Sequence, residues 1–483
     1  MLYLLTILFP IAIAASCFIL RTYTRLSIAI AGGAVLTLAF LVAQIPIDDP
    51  ARFLGVTLIL SQLGRVFLFL FLAVIAIALF ACWHLPHGEN FVPVVLLVLA
   101  QICAILLLQD PFLVSLLLIG AGLAAVLAIV DLPTGSGVLL GTRVIASALK
   151  YLVLTMIAGM LMYLGFVLAD VYELGQLPGR IPLTRFVLAL IGAGFALRLA
   201  LIPFHSWLPD LVEDASPLVS ALIVAVINTT SLLMLILSFQ RFPILISENA
   251  FGLQVIQTIG LITALLGSLL ALVQPSLRRG LAYLLIYDAG MVLFGVCSIN
   301  QLGLAGALFH TISQIAVVML LFVALAQLEQ PDGRTPGVVR RDLLRRWPIA
   351  GVCFLAGGLA LLGVPPFSGF VGKYLIYQAA AQQGPWYLAL LVASSVIATL
   401  ALLRLAREWL LGPAEELPVE EPLMLGETEL DRPAVRRLAP EPRSTAFLTM
   451  GLVTLCLVLG LYPLPLLDLI SDVVRSLTFI RAL

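Results

Sequence analysis

The chain has 483 residues, 62% of them hydrophobic and only 11% charged, with a formal net charge of zero and a mean hydropathy of +1.15. Soluble domains usually carry about 25% charged residues, so composition excludes an ordinary soluble fold, and zero net charge leaves no basic footprint for nucleic acid. The six cysteines, at 17, 82, 103, 297, 353 and 456, are scattered inside apolar runs without C-x-x-C spacing and read as small core residues. No haem, iron–sulfur or flavin motif is present, so this chain is not expected to carry a cofactor or electrons itself. His84 and His87 flank Pro86 without further ligands, and no metal site is expected there.

Apolar runs long enough to cross ~30 Å of hydrocarbon at ~1.5 Å per residue recur along the whole chain. Fourteen are counted, near 2–20, 26–44, 53–82, 91–108, 112–130, 144–169, 184–204, 217–239, 252–273, 280–298, 301–327, 348–371, 384–411 and 445–466. The first lacks a basic leader, and reads as a retained helix rather than a signal peptide. The third is long enough to be strongly tilted or to lie partly outside the lipid. An arginine-rich loop, 328–347, is suited to anionic headgroups. The stretch 412–444 is rich in Pro and Glu, lacks apolar periodicity, and reads as a cytoplasmic linker or docking loop. Residues 468–483 put Leu469, Ile470, Val473, Val474 and Leu477 on one face, the pattern of an interfacial helix or an exposed tail.

Sixteen arginines fall in loops after odd-numbered runs and six on the other side, tail included. By the positive-inside rule both termini are expected outside the cytoplasm. Two helices carry breaks. Arg198 precedes a break at Pro203, and Pro365-Pro366 is followed by Gly369, Gly372 and Lys373 five helices later. Interrupted helices at matching places predict two inverted repeats, with ions handled near the midplane. The expected fold is therefore an all-α polytopic membrane protein with about 14 transmembrane helices, inverted repeats and broken helices 7 and 12.

The motifs at the breaks are specific. P-F-H-x-W-L-P-D from Pro203, then A-S-P-x-V-S-A from Ala215, and L-G-V-P-P-F-S-G-F-V-G-K ending at Lys373 together resemble the antiporter-like subunits of respiratory complex I, the Mrp sodium/proton antiporters and the membrane-bound hydrogenases. The resemblance covers nearly the whole chain. It implies two inverted five-helix repeats, over helices four to eight and nine to thirteen, and termini outside the cytoplasm. The parts expected on that basis are 1–108 (helices one to four, the fourth opening the first repeat), 109–239 (the rest of the first repeat), 252–411 (the second repeat), 412–444 (a polar loop) and 445–483 (helix fourteen and the tail). It also implies a proton-translocating, non-redox membrane subunit of a complex I-related quinone oxidoreductase. Flavin, iron–sulfur centres and quinone would then belong to partner subunits, alongside other membrane subunits and the lipid bilayer. A cation/proton antiporter subunit of an Mrp-type complex, moving protons or Na+, and a degenerate scaffold that does not pump are the alternatives.

A charge at the bilayer centre costs at least ~2.5–3.5 kcal/mol on insertion scales, so intramembrane charges are functional candidates. Lys373 matches the twelfth-helix lysine that ends the proton path in the resembled family, and burial lets a lysine release its proton reversibly. His310, in A-L-F-H-T-I-S-Q, resembles the eleventh-helix histidine, with Gln314 and Val318 at places the family often fills with His and Lys. Asp288 stands where relatives carry His or Gln and is a counter-ion candidate for Arg198 or Lys373. Lys150, in A-L-K-Y, fits an uptake-side relay or plain snorkelling equally well. Arg198 occupies the place of the family's central lysine; a guanidinium keeps its proton at neutral pH, so a fixed positive field is expected of it. His205 is expected to support the break at Pro203 by hydrogen-bonding freed carbonyls, as Pro365 and Pro366 form the second break. Arg65 is expected to snorkel. The fifth run holds no glutamate, and the place of the family's eighth-helix lysine falls near Thr229, beside Asn228. The N-terminal half-channel thus reads as impaired and the C-terminal half, around Lys373, as usable.

Overall fold

The computed structural model describes residues 1–53, 55–131, 142–175, 181–329, 342–412 and 443–477. The polar stretch 412–444, the arginine-rich loop 328–347 and the end of the tail lie largely outside the described residues. The chain is overwhelmingly helical, as a bilayer requires of any segment that must satisfy its own backbone polar groups. Eleven described helices are long and apolar enough to span: Leu2–Ile19, Thr24–Gln44, Gln62–Cys82, Pro111–Val130, Thr142–Val171, Pro217–Arg241, Ala250–Val273, Leu277–Cys297, Gln301–Leu328, Pro385–Leu410 and Arg443–Leu461. The remaining apolar runs hold Phe91–Leu107, Ile181–Arg198 and Pro348–Leu362, the last two ending at breaks.

Three helices, Pro217–Arg241, Leu277–Cys297 and Gln301–Leu328, are almost wholly buried, whereas Leu2–Ile19 and Arg443–Leu461 lie at the rim. Without a hydrophobic driving force between helices in lipid, close packing must come from small residues. Ala250–Val273 packs on Leu277–Cys297 this way: a methyl at Gly290 would lie 2.4 Å from the Ala264 nitrogen, and one at Gly267 2.7 Å from the Tyr287 nitrogen. That backbone contact fixes the turn of helix carrying Tyr287 and Asp288.

One sequence reading needs correction. The run 53–82 is not one tilted helix. Ala51–Phe53 and Val56–Leu58 pair antiparallel around Gly55, which has φ +81°, and the helix begins only at Gln62. The cause is local: Ser61 caps the helix by accepting from the Gly64 N–H at 3.0 Å, leaving the apolar residues before it to a hairpin. In the tail, Leu464–Ser476 forms an amphipathic helix whose Ile470, Val473 and Val474 are buried, packed against Gln301–Leu328.

Candidate ion-pathway site

The second break starts where Gly363 caps Pro348–Leu362 in the left-handed region, φ +76°. The peptide Pro365–Pro366 is cis, neither proline supplies an N–H, and the helix resumes at Gly369. Lys373, one turn into the new helix, reaches back across the break. Its Nζ donates to the Leu361 carbonyl at 2.7 Å and to the Tyr287 hydroxyl at 3.1 Å, and lies 3.0 Å from Asp288 Oδ1. The ammonium thus uses all three donors, one on a carbonyl at a helix C-terminus, where the dipole favours a cation.

His310 approaches the same carboxylate from Gln301–Leu328, its Nε2 lying 2.8 Å from Asp288 Oδ1 and 2.9 Å from Oδ2. Side-chain exposure of Asp288, His310 and Lys373 is 0%, 1% and 1%. A carboxylate with only acceptors selects the Nε2–H tautomer of the ring, and Nδ1 is buried without a hydrogen-bond partner. The cluster holds one acid and two bases, so it is neutral with either Lys373 or His310 charged and gains a net positive charge when both are. Such a cluster can take up and pass on one proton, with Nδ1 as the open acceptor.

Glycine makes this approach possible. A methyl at Gly372 would sit 2.6 Å from His310 Cβ and 2.8 Å from its Cα and N. Since backbone cannot yield cheaply, Gly372→Ala is expected to destabilise by about 1–3 kcal/mol and to move His310 off Asp288. Thermal melts of the purified chain check the first, and a structure of the variant the second.

A hydroxyl chain leads away from Lys373. Tyr287 meets Ser395 Oγ at 2.7 Å, and Ser395 meets the Tyr377 hydroxyl at 2.5 Å. Ser313 donates to Ser368 at 2.6 Å beside the break. Sequence reasoning missed these groups, because tyrosines and serines in apolar helices usually read as core. The one available signal was that Tyr377 stands a helical turn beyond Lys373 and Tyr287 next to Asp288.

The first break has the same backbone plan, a positive-φ residue three positions before a proline that follows a cis peptide bond, with different side-chain partners. Ile181–Arg198 ends, Ala200 adopts φ +54°, Ile202–Pro203 is cis, and the chain turns through Phe204–Ser206 into Trp207–Asp214. Freed carbonyls are taken by other side chains: Trp207 Nε1 donates to Leu197 O at 2.9 Å and Lys150 Nζ to Ser206 O at 3.0 Å. His205 packs on the Tyr283 ring, centroids 5.9 Å apart, and its Nδ1 is buried without a partner. Lys150 also pairs with Asp210 at 2.8 Å, and Arg279 pairs with the other oxygen at 2.9 Å. This network is partly exposed and separate from the Lys373 cluster.

Arg198 is buried. Its Nε donates to Ser231 Oγ and its Nη2 to the Leu118 carbonyl, each at 2.7 Å. The counter-ion question is thereby decided between its two alternatives: Asp288 pairs with Lys373 and His310, and no carboxylate among the described residues pairs with Arg198. Between the two halves lies a cavity of about 40 Å³ lined by Leu199, Asn228, Thr229, Leu285, Ala289 and Gln314, among others. At roughly 10–15 Å³ of such volume per water, it has room for on the order of three waters. Asn228, Thr229 and Gln314 supply polar partners.

The family described as NADH:quinone oxidoreductase/Mrp antiporter, transmembrane region, matches residues 139–398, more than half of the chain. The chain is 31% identical over 256 residues to NADH-quinone oxidoreductase subunit N 2 of Syntrophobacter fumaroxidans, covering 52% of this chain and 54% of that protein. It is 27% identical over 353 residues to F(420)H(2) dehydrogenase subunit N of Methanosarcina mazei, covering 68% and 66%. The chain therefore spans about half to two-thirds of the length of these curated relatives. A chain of the Mrp complex from Dietzia sp. shares the fold, with TM-score 0.81 at 21% identity, over 100% of this chain and 98% of that one.

Proposed function

Because this chain belongs to the NADH:quinone oxidoreductase/Mrp antiporter family and is an integral membrane, antiporter-like subunit, we propose that it translocates protons within a complex I-related quinone oxidoreductase. The redox chemistry is assigned to partner subunits carrying flavin, iron–sulfur centres and quinone. The two broken helices are read as equivalent points of two inverted repeats, and both termini as facing away from the cytoplasm of an energy-transducing membrane.

One observation carries the reading: Asp288, His310 and Lys373, contributed by three helices, meet at a break with almost no solvent exposure. An ionic cluster of this kind is expensive in a membrane, and a buried ion pair gives little stability over apolar packing. A role in proton transfer accounts for its presence. In the proposed cycle a proton reaches His310 Nδ1 through water in the cavity beside Gln314. Charging His310 weakens Asp288's hold on Lys373, and Lys373 releases its proton toward Tyr287, Ser395 and Tyr377. A charge change in a partner subunit drives the cycle by shifting the balance between the two charged states. Arg198 keeps its proton throughout the cycle, and Lys150 with Asp210 lines the approach on the cytoplasmic side. The intact cluster argues against a non-pumping scaffold.

The whole-chain likeness to a subunit of an Mrp complex supports a second reading, a cation/proton antiporter component without a redox partner. Purification through a tag on this chain in mild detergent, followed by mass spectrometry, separates the two. Co-purifying iron–sulfur or quinone-binding subunits are expected. Recovery of small hydrophobic subunits alone would replace the first reading with the second.

A further inference from the structure

Arg198 presents an uncompensated charge. The residue is 2% exposed, and two of its guanidinium nitrogens are used on neutral acceptors, Ser231 Oγ and the Leu118 carbonyl. The third, Nη1, is buried with no hydrogen-bond partner. The Tyr151 hydroxyl is also buried and unpartnered. Its ring packs on Trp207, centroids 5.1 Å apart, and Trp207 Nε1 in turn donates to the carbonyl of Leu197, the residue before Arg198.

Loss of the proton cannot remove this charge at neutral pH. Water could satisfy the open donors but would leave the charge uncompensated at membrane depth, which costs several kcal/mol per ion in real proteins. A neighbouring subunit's carboxylate cannot reach a group this deeply enclosed. We propose that Arg198 Nη1 and the Tyr151 hydroxyl bind a small monovalent anion of the halide class, which supplies the negative charge that Asp288 supplies in the other half. Both groups are donors, which favours an anion over a cation or a neutral ligand. The proposal is independent of proton transport, since the charge needs compensation whether or not the chain pumps.

The test uses the purified full-length chain with sodium bromide as the probe and sodium gluconate at equal ionic strength as the control. Gluconate is too large for an enclosed site. Two variants accompany the wild type: Arg198→Gln removes the charge, and Ser231→Asp places a carboxylate where Nε already donates at 2.7 Å, so that the protein carries its own counter-ion. In the wild type, bromide is expected to raise the apparent Tm by about 2–4 °C. X-ray fluorescence after desalting should then find about one retained bromide per chain, the stoichiometry of a single-site ligand. Both signals should vanish in Ser231→Asp, whose melting temperature in gluconate should match or exceed that of the wild type. If Arg198→Gln folds, it should also lose both. A wild type indifferent to halide, or bromide retained equally by Ser231→Asp, would overturn the proposal.

Discussion

Lys373→Met is expected to lower proton translocation by the intact assembly on the order of a hundredfold, the usual worth of a positioned proton-transfer group. Methionine nearly preserves side-chain volume, so the helices around Gly363 and Gly372 need not shift. Three acceptors lose their donor together: the Leu361 carbonyl, the Tyr287 hydroxyl and Asp288. Asp288 keeps its contact with His310, so the carboxylate is not left alone, and the loss of stability should be about 1–3 kcal/mol. Flux should therefore fall far more than stability. Dye-monitored acidification in proteoliposomes, alongside thermal melts of the same preparation, checks both halves of this expectation.

Asp288→Asn should show the opposite balance, with the largest stability loss of any single substitution in the cluster. It removes the negative charge and leaves the Lys373 ammonium enclosed among neutral groups. Breaking a buried pair from one side typically costs about 3–5 kcal/mol, equivalent to roughly 5 °C or more in apparent Tm. The added cost is the stranded cation itself. The double variant Asp288→Asn with Lys373→Met removes both charges and should recover most of the lost stability. A melting series on the two single variants and the double one measures the coupling. Simple additivity would mean that the two groups do not compensate each other.

Hydropathy made the helices legible because hydrocarbon thickness dictates their length, and prolines marked both breaks because they cannot donate to a helix. The hairpin at 51–58 was hidden for the same reason: Val56, Leu58, Ile59 and Leu60 are as apolar as the helix that follows, so hydropathy did not register the change of geometry at Gly55 and Ser61. Lys373, His310 and Asp288 each stood out as polar groups in apolar helices. Their meeting did not, since they lie on three different helices and linear spacing carries no distance between helices. The same limit left Asp288 open as a partner for Arg198 or Lys373, a choice decided by the close approach of helices at Gly290 and Gly372. Tyr287, Ser395 and Tyr377 escaped notice because hydroxyls in apolar helices commonly bond their own backbone, as Thr155, Thr230 and Thr311 do here.

The most direct test is proton flux in proteoliposomes containing the purified assembly with Lys373→Arg. Arginine keeps the positive charge beside Asp288 but holds its proton throughout the physiological range, which separates charge from proton release. With subunit recovery and any redox activity of the partners matched to the wild type, flux should fall to the Lys373→Met level. Full flux from the arginine variant would contradict the assignment of Lys373 as the group that releases the proton.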